Sequence, residues 1–394
     1  MTIPALMPTY ARFDVAFERG EGARLFDTEG RSYLDFATGI AVSALGHGHP
    51  RLVKAIQDQA GKVLHTSNLY RIPGQEAAAE KLVANTFADT VFFGNSGAEA
   101  LELCLKIARR FHQTQGAERH RVIVARNAFH GRTLATIAAG GQEKHLAGFG
   151  PIVEGFDRVA FGNMNEARNA VTDKTAAVLV EPVQGEGGIL PADADYMRGL
   201  RTMCDEYGLL LMFDEVQTGN GRTGKLYAHQ WSGITPDVMA TAKGLGGGFP
   251  VGAVLATERA ASCMTPGTHG TTYGGNPLAM AAVNAVLDTL LADGFLENVQ
   301  AVAAHLRGKL SVLAAEHPAV ITDVRGLGLM LGLKLADGVV NTEFVGRALK
   351  AGLLTVPAGD NVVRLLPPLI IGEAEADAAV DILFRVCQDT APAS

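Results

Sequence analysis

The chain has 394 residues, enough for roughly two to three domains of ordinary size. Hydrophobic residues make up 47% of the chain and charged residues 19%, which predicts a large packed core and excludes extensive disorder. The formal net charge of -7 argues against nucleic acid as the main partner, because phosphate backbones are bound by concentrated basic surfaces.

Targeting and metal signals are weak in this sequence. Residues 1–22 lack the basic and apolar stretches of a signal peptide, and no apolar run reaches the roughly 18–20 residues of a membrane span. The four cysteines are far apart and have no histidine cluster beside them, which is typical of neither a disulfide framework nor a zinc site. We therefore expect no metal, no membrane partner and a location in the reducing cytoplasm.

Short apolar runs alternate with helical periodicity through the middle of the chain, which predicts a parallel sheet covered by helices. After short N-terminal strands, the expected strands are residues 90–93, 121–125, 177–181, 209–214 and 252–256. Helices are predicted over residues 98–111 and 195–207, the second ending at Gly208. The expected fold class is therefore α/β.

From about Asn276 the pattern changes to a long apolar helix over residues 277–291, followed by another helical segment and short strands. This change predicts a second, smaller α+β domain. The expected division is an N-terminal segment that packs with the small domain, a large domain and a C-terminal small domain, over residues 1–50, 51–276 and 277–394.

A glycine pattern in the middle of the chain matches two nucleotide signatures. Gly219, Gly221 and Gly224 fit the dinucleotide fingerprint, but the segment neither follows the first strand directly nor opens a helix. The overlapping phosphate-loop pattern has Leu226 where a serine or threonine would hold Mg²⁺. Both nucleotide interpretations are therefore disfavoured.

Two residues have the chemistry that an aldehyde cofactor with a pyridine ring requires. Asp214 ends an apolar strand, where an acid is costly unless it is paired, and it could keep a ring nitrogen protonated. Lys243 lies in a loop of small residues that would let a ring approach the backbone. Taken alone, Asp214 could be a turn residue and Lys243 a surface lysine.

Two further segments follow predicted strands. Ser96 precedes a helix whose free N–H groups suit a phosphate, although Ser96 and Glu99 also have the spacing of an ordinary capping box. Phe129 and Arg132 offer a ring for stacking and a guanidinium for a carboxylate. Taken singly, Phe129 is more typical of a core position and Arg132 of a surface ion pair.

Residues 213–252 resemble the active-site segment of the class III, or subgroup II, aminotransferases, which have the fold-type I architecture. The resemblance extends over most of the chain through the ordered segments DFATGIAVSALGHGHP, GNSGAEALE, NAFHGRT, VEPVQGEGG, THGTTYGGNPLA and RLLPPL. It implies a large domain with a mostly parallel seven-stranded sheet and a smaller α+β domain. One departure, Ala100-Leu101 where many relatives have Ala-Asn, lies outside the phosphate donors.

The resemblance also implies pyridoxal 5'-phosphate as cofactor, with Lys243 as the Schiff-base lysine and acid–base catalyst and Asp214 on the pyridine nitrogen. The other implied cofactor residues are Ser96, Gly97 and Ala98 at the phosphate, Phe129 and Val216 on the ring faces, and Gln217 at the ring hydroxyl. Thr272, with neighbouring Thr271, would reach the phosphate of the partner subunit. The resemblance therefore also implies a homodimer with shared active sites.

For the substrates, the resemblance implies that Arg132 binds the α-carboxylate of an acylated ornithine and Arg364 that of glutamate or 2-oxoglutarate. Glu186 would pair with Arg364 when no glutamate is bound, so that two substrates of different charge can share one pocket. Ile40 occupies the position of a tyrosine that helps relatives acting on ornithine bind its free amino group. Because Ile40 offers an ammonium no partner, the sequence favours N-acetylornithine over ornithine.

The implied reaction is a ping-pong conversion of N2-acetylornithine and 2-oxoglutarate to N-acetylglutamate 5-semialdehyde and glutamate, in arginine biosynthesis. Another class III aminotransferase, acting on ornithine, succinylornithine, N-succinyl-diaminopimelate or 4-aminobutyrate, is the nearest alternative. A nucleotide-dependent enzyme that uses the glycine segment and a non-catalytic protein on an aminotransferase scaffold are the others. Every implied catalytic position holds the required residue, which disfavours the last of these.

Overall fold

A seven-stranded sheet forms the centre of the computed structural model, which describes residues 4–390. Across the sheet the strands are Thr90–Gly94, Gly252–Ala256, Val238–Thr241, Leu210–Asp214, Thr175–Val180, Arg121–Ala125 and Phe156–Val159. Gly252–Ala256 runs antiparallel to both of its neighbours, and the other neighbouring strands pair in parallel. The expected mostly parallel sheet of seven strands is confirmed.

Alternate side chains of the central strands enter two separate hydrophobic cores, one on each face of the sheet. Leu211 and Phe213 belong to one core, and Leu210 and Met212 to the other. The helices of this part of the chain are Pro50–Ala60, Pro73–Ala84, Gly97–Thr114, Leu134–Gly140, Glu143–Leu146, Met164–Asn169, Ala194–Tyr207, Glu258–Ala261 and Pro277–Leu290. Burial on both faces explains why the strand sequences are continuously apolar.

A smaller antiparallel sheet follows later in the chain. Its strands, in spatial order, are Ile321–Leu327, Met330–Leu335, Val362–Leu365 and Val356–Ala358. The helices of this region are Phe295–Glu316, Asn341–Lys350 and Glu373–Thr390. Within residues 4–390 no single helix is long and apolar enough to cross a membrane, although Pro277–Leu290 and Phe295–Glu316, bent by 70°, pass that test as a pair.

The N-terminal segment pairs with the C-terminal part of the chain. The meander of Phe17–Glu21, Arg24–Asp27 and Ser32–Asp35 accepts Leu353–Leu354 as a fourth strand, parallel to the third. The remaining elements are the short turn Thr38–Ala41, the ribbon Val183–Gln184 with Leu190–Pro191, and the 3-10 turns Ala228–Trp231 and Lys243–Gly246. The domain boundaries at residues 50 and 276 stay predictions.

Candidate active site

A cavity of about 310 Å³ opens where the parallel strands of the large sheet end. Parallel strands place the loops that follow them at one edge of a sheet, which is where ligands bind in α/β folds. The predicted cofactor residues that line this cavity are Ser96, Gly97, Ala98, Phe129, Asp214, Val216, Gln217 and Lys243. The fold thus brings together residues that are far apart in the sequence.

Asp214 lines the cavity and is hydrogen-bonded through both carboxylate oxygens. His130 Nδ1 lies 2.8 Å from Asp214 Oδ2, and the backbone N–H of Val216 donates to Asp214 Oδ1 at 3.0 Å. Burial opposes the charged form of His130, but the hydrogen bond that its ring donates to the Asp214 carboxylate raises the pKa of this histidine above its ordinary value. The pair therefore holds the carboxylate in one orientation, as a ring nitrogen requires.

Lys243 begins a 3-10 turn and has a left-handed φ of 46°, which is uncommon for a residue with a side chain. Burial lowers the pKa of Lys243 to about 8, and the Glu186 carboxylate opposes this shift. A larger fraction of the amine is therefore neutral near physiological pH than for an exposed lysine. A neutral amine is the form that attacks an aldehyde.

The helix Gly97–Thr114 begins at the cavity. Its N-cap Ser96 accepts from Glu99 N at 3.2 Å, so the N-cap is formed, but Glu99 Oε2 accepts from Asn95 N at 2.6 Å and not from Ser96 N, so the reciprocal bond of a capping box is absent. A side chain at Gly97 would bring a Cβ within 2.8 Å of Val216 Cγ1, so only glycine fits between them. The unpaired N–H groups of the first helical turn therefore remain open to a phosphate, and the cradle fits pyridoxal phosphate.

Arg364 is 1% exposed and lies beside the cavity on strand Val362–Leu365. Its Nη1 donates to Glu186 Oε1 at 2.6 Å and to Gln217 Oε1 at 3.3 Å, and its Nη2 donates to the carbonyl of Pro357 at 3.0 Å. The pair predicted between Arg364 and Glu186 is thus formed. Its exchange against a substrate carboxylate stays a prediction.

The other predicted residues lie outside the cavity lining. Arg132 is exposed, with its guanidinium 5.7 Å from the centre of the Phe129 ring. Thr271 Oγ1 accepts from Gly274 N at 3.1 Å, and Thr272 is exposed. The chain alone therefore does not bring these side chains into the cavity, and their roles stay predictions.

Ile40 lies on a turn with positive φ throughout, Thr38–Ala41. Its φ is 66° and its side chain is 36% exposed, while the nearby Val42 lines the cavity. A left-handed turn of residues with side chains is strained, by roughly 1–2 kcal/mol per residue. Hydrogen bonds from Ala37 N and Thr38 N to Asp35 Oδ1 hold this turn beside the cavity.

Two functional residues lack a role in the sequence analysis. His130 is the partner of Asp214, and only its position next to Phe129 could have indicated this. Glu181 lines the cavity and accepts from Phe129 N at 3.1 Å and Gly185 N at 3.3 Å. Burial raises the pKa of Glu181 to about 8, and the nearby His130 opposes this shift.

Comparison with known proteins agrees with this geometry. The class III aminotransferase family model matches residues 6–387. The acetylornithine aminotransferase of Mesorhizobium japonicum is 59% identical over 97% of this chain and 95% of its own length. Acetylornithine aminotransferase 2 of Caulobacter vibrioides is 48% identical over 97% of this chain and 95% of its own length.

Solved structures agree as well. Ornithine aminotransferase from Toxoplasma gondii has a TM-score of 0.94 at 30% identity, covering 98% of this chain and 92% of its own. N-acetylornithine aminotransferase from Stenotrophomonas maltophilia has a TM-score of 0.85 at 37% identity, covering 96% of this chain and 97% of its own.

The fold and the lysine–aspartate cavity define an enzyme that transfers amino groups with pyridoxal phosphate as cofactor. The chain belongs to the class III aminotransferases. The predicted fold class, enzyme class and cofactor are confirmed.

Proposed function

We propose that the enzyme transfers the terminal amino group of N2-acetylornithine to 2-oxoglutarate, giving N-acetylglutamate 5-semialdehyde and glutamate in arginine biosynthesis. The observation that carries the proposal is the buried Arg364 paired with Glu186 at 2.6 Å beside the Lys243 cavity. A masked guanidinium suits an enzyme that must bind a substrate with one carboxylate and then a substrate with two.

The residues of the cavity have different roles in the proposed reaction. Bound pyridoxal phosphate supplies a carbonyl for the substrate amine and a ring that accepts electrons. Lys243 would hold the cofactor through its side-chain amine, and the same amine would then accept and return the proton at the reacting substrate carbon. Asp214, oriented by His130, would keep the ring nitrogen protonated, and the start of helix Gly97–Thr114 would bind the phosphate.

The end of the amine substrate that carries the α-carboxylate and the acylated nitrogen distinguishes N2-acetylornithine from ornithine. In this proposal Arg132, whose guanidinium lies 5.7 Å from the centre of the Phe129 ring, would bind the substrate α-carboxylate, and the partly exposed Ile40 would offer an apolar side chain to the acylated nitrogen. An apolar contact tolerates an acylated nitrogen but leaves an ammonium without a partner. Relatives at 48–59% identity are acetylornithine aminotransferases, which supports the same substrate.

We also propose a homodimer in the cytoplasm. Exposed Thr272 is available to the cofactor phosphate of a second copy, and exposed apolar side chains nearby, Leu69, Tyr70 and Tyr273, offer surface for such a contact. The four described cysteines are buried free thiols, as a reducing compartment allows.

A substrate panel tests the proposed reaction. N-acetylornithine added to the purified yellow enzyme should shift the visible absorption of the cofactor, and 2-oxoglutarate should restore it. Ornithine, succinylornithine, N-succinyl-diaminopimelate and 4-aminobutyrate should react at least about tenfold more slowly at equal concentration, which corresponds to roughly 1.4 kcal/mol of discrimination. Equal or faster reaction of ornithine would assign the enzyme to the alternative substrate class.

A further inference from the structure

The glycine segment 219–224 is buried rather than open to a nucleotide. Thr218, Asn220, Arg222 and Thr223 are each at most 2% exposed. Gly221 has a φ of 85°, and a Cβ on it would lie 2.9 Å from Leu369 Cδ1, so the segment packs directly on the chain that follows Arg364. The segment is therefore a packed part of the fold and not a phosphate-binding loop.

Arg222 extends from this segment to two other parts of the chain. Its Nη1 donates to the carbonyl of Leu329 at 3.1 Å and to the carbonyl of Pro367 at 2.5 Å. In return, the backbone N–H of Leu329 donates to the carbonyl of Arg222 at 3.0 Å. Gly328 has a φ of 58°, and its Cα is so close to Thr223 that a Cβ would lie 2.3 Å from the Thr223 carbonyl carbon.

The charge of Arg222 is unusual for its surroundings. Within residues 4–390 no carboxylate lies at salt-bridge distance from the guanidinium, and its Nη2 is buried without a hydrogen-bond partner. Burial lowers the pKa of Arg222, and the more distant Asp35 opposes the shift. A buried guanidinium without a paired acid is costly, so packing alone would favour a neutral residue here.

This part of the chain also contacts residues at the active site. Gln217 lines the cavity and accepts from Arg364 Nη1 at 3.3 Å. Asn220 Nδ2 donates to the carbonyl of Ala242, the residue before Lys243, at 3.0 Å. Arg222 holds Pro367, which lies three residues after Arg364 and two residues beyond the end of strand Val362–Leu365.

We propose that Arg222 is a positioning residue for the second half of the reaction: through Pro367 it sets the distance between Arg364 and Lys243, and so the fit of a five-carbon dicarboxylate between them. The inference rests on the proposed function, in which Arg364 binds a carboxylate of 2-oxoglutarate. The amine-donating half does not use Arg364, because Glu186 then masks it. Arg222 therefore affects one half-reaction and not the other.

The test compares Arg222→Gln and Arg222→Lys with the unchanged enzyme, all loaded with cofactor. Calorimetry measures the dissociation constant of glutarate, an unreactive five-carbon dicarboxylate, and stopped-flow absorbance measures the rate of amine donation by N-acetylornithine. Arg222→Gln should weaken glutarate binding about tenfold and Arg222→Lys about threefold, with the donation rate within about twofold of the unchanged enzyme. A parallel loss in both measurements, or no loss of glutarate binding, would overturn the proposal.

A double variant separates this proposal from the function on which it rests. If Arg222 acts through Arg364, Arg222→Gln should add nothing to the weakened glutarate binding of Arg364→Lys. Full additivity overturns the positioning role alone, whereas unchanged glutarate binding in Arg364→Lys overturns both the role and the assignment of Arg364.

Arg307→Gln is the matched control, because Arg307 also donates to two backbone carbonyls of the small sheet, those of Val324 and Gly326, without reaching the Arg364 segment. Glutarate binding should be unchanged in this variant, and a loss equal to that of Arg222→Gln would contradict the proposal.

Discussion

Lys243 combines a left-handed backbone with a buried amine, and this environment has a measurable consequence. Burial lowers its pKa to about 8, so the amine is largely neutral above that pH and protonated below it. Only the neutral amine attacks the cofactor aldehyde. Loading of the cofactor-free enzyme with pyridoxal phosphate, followed by absorbance, should therefore accelerate with rising pH and level off near pH 8–8.5. A rate that still rises tenfold per pH unit above pH 9 would indicate an ordinary lysine.

Ile40 is the residue that the proposed substrate choice depends on. Ile40→Tyr supplies a hydroxyl for a free ammonium at a position next to the cavity, and hydrogen bonds to charged groups contribute roughly 1.5–3 kcal/mol. The ratio of kcat/KM for ornithine to kcat/KM for N-acetylornithine should therefore rise by about tenfold or more. Ile40→Val keeps an apolar side chain and should leave the ratio unchanged. If the two variants behave alike, Ile40 does not select the substrate.

At the level of single residues, the sequence indicates which side chains are unusual for their local pattern more readily than it indicates which residues they contact. The local pattern marked Asp214 and Lys243 as candidates, an acid ending an apolar strand and a lysine among glycines, and the family resemblance supplied their implied roles. The role of His130 was not predictable, because it depends on a contact with a residue 84 positions later in the chain. The buried contact of Arg222 with Pro367 spans 145 positions and is equally invisible in the sequence.

Among the elements, strand prediction succeeded where the apolar run itself determines the structure. Arg121–Ala125 and Gly252–Ala256 have the predicted bounds. The edge strand Phe156–Val159 was not predicted, because its two central residues are charged; Asp157 pairs with Arg121 of the neighbouring strand at 2.6 Å. Val238–Thr241 was also missed, since it is only four residues long and is ordered by parallel pairing with Leu210–Asp214.

The loop after Leu210–Asp214 is held by a buried carboxylate. Glu215 is fully buried and accepts hydrogen bonds from Ala228 N, His229 N, His229 Nδ1 and Thr218 Oγ1 at 2.7–3.0 Å. Glu215→Leu leaves these donors without a partner and should lower the free energy of unfolding by roughly 3–5 kcal/mol, measured by denaturant unfolding of the loaded enzyme.

Glu215→Gln, which keeps an acceptor, should lower the free energy of unfolding by less than Glu215→Leu does. The control Glu118→Gln removes an exposed pair with Lys174 and should change the free energy of unfolding by less than about 1 kcal/mol. Equal stability of Glu215→Leu and the unchanged enzyme would show that this carboxylate does not hold the loop.

For the whole molecule, the proposed dimer requires each active site to use Thr272 of the other copy. Thr272→Asp should repel the phosphate of that copy, and Lys243→Ala should inactivate its own cavity. Mixed dimers of the two variants then contain one intact site each, so random pairing should restore about a quarter of the activity of the unchanged enzyme.

Mixing Lys243→Ala with Asp214→Ala is the control. Both residues line one cavity of a single chain, so no intact site can form and no activity should return. An inactive Thr272→Asp and Lys243→Ala mixture, despite dimers of twice the chain mass, would place Thr272 outside the partner's site.

The identity of the cofactor-bearing lysine tests the account most directly. The loaded enzyme is reduced with borohydride, which fixes the cofactor to its lysine, and is then digested and analysed by mass spectrometry. The account predicts that the added mass lies on the peptide that contains Lys243, and that Lys243→Ala carries none. A cofactor adduct on any other lysine of the unchanged enzyme would contradict the central assignment.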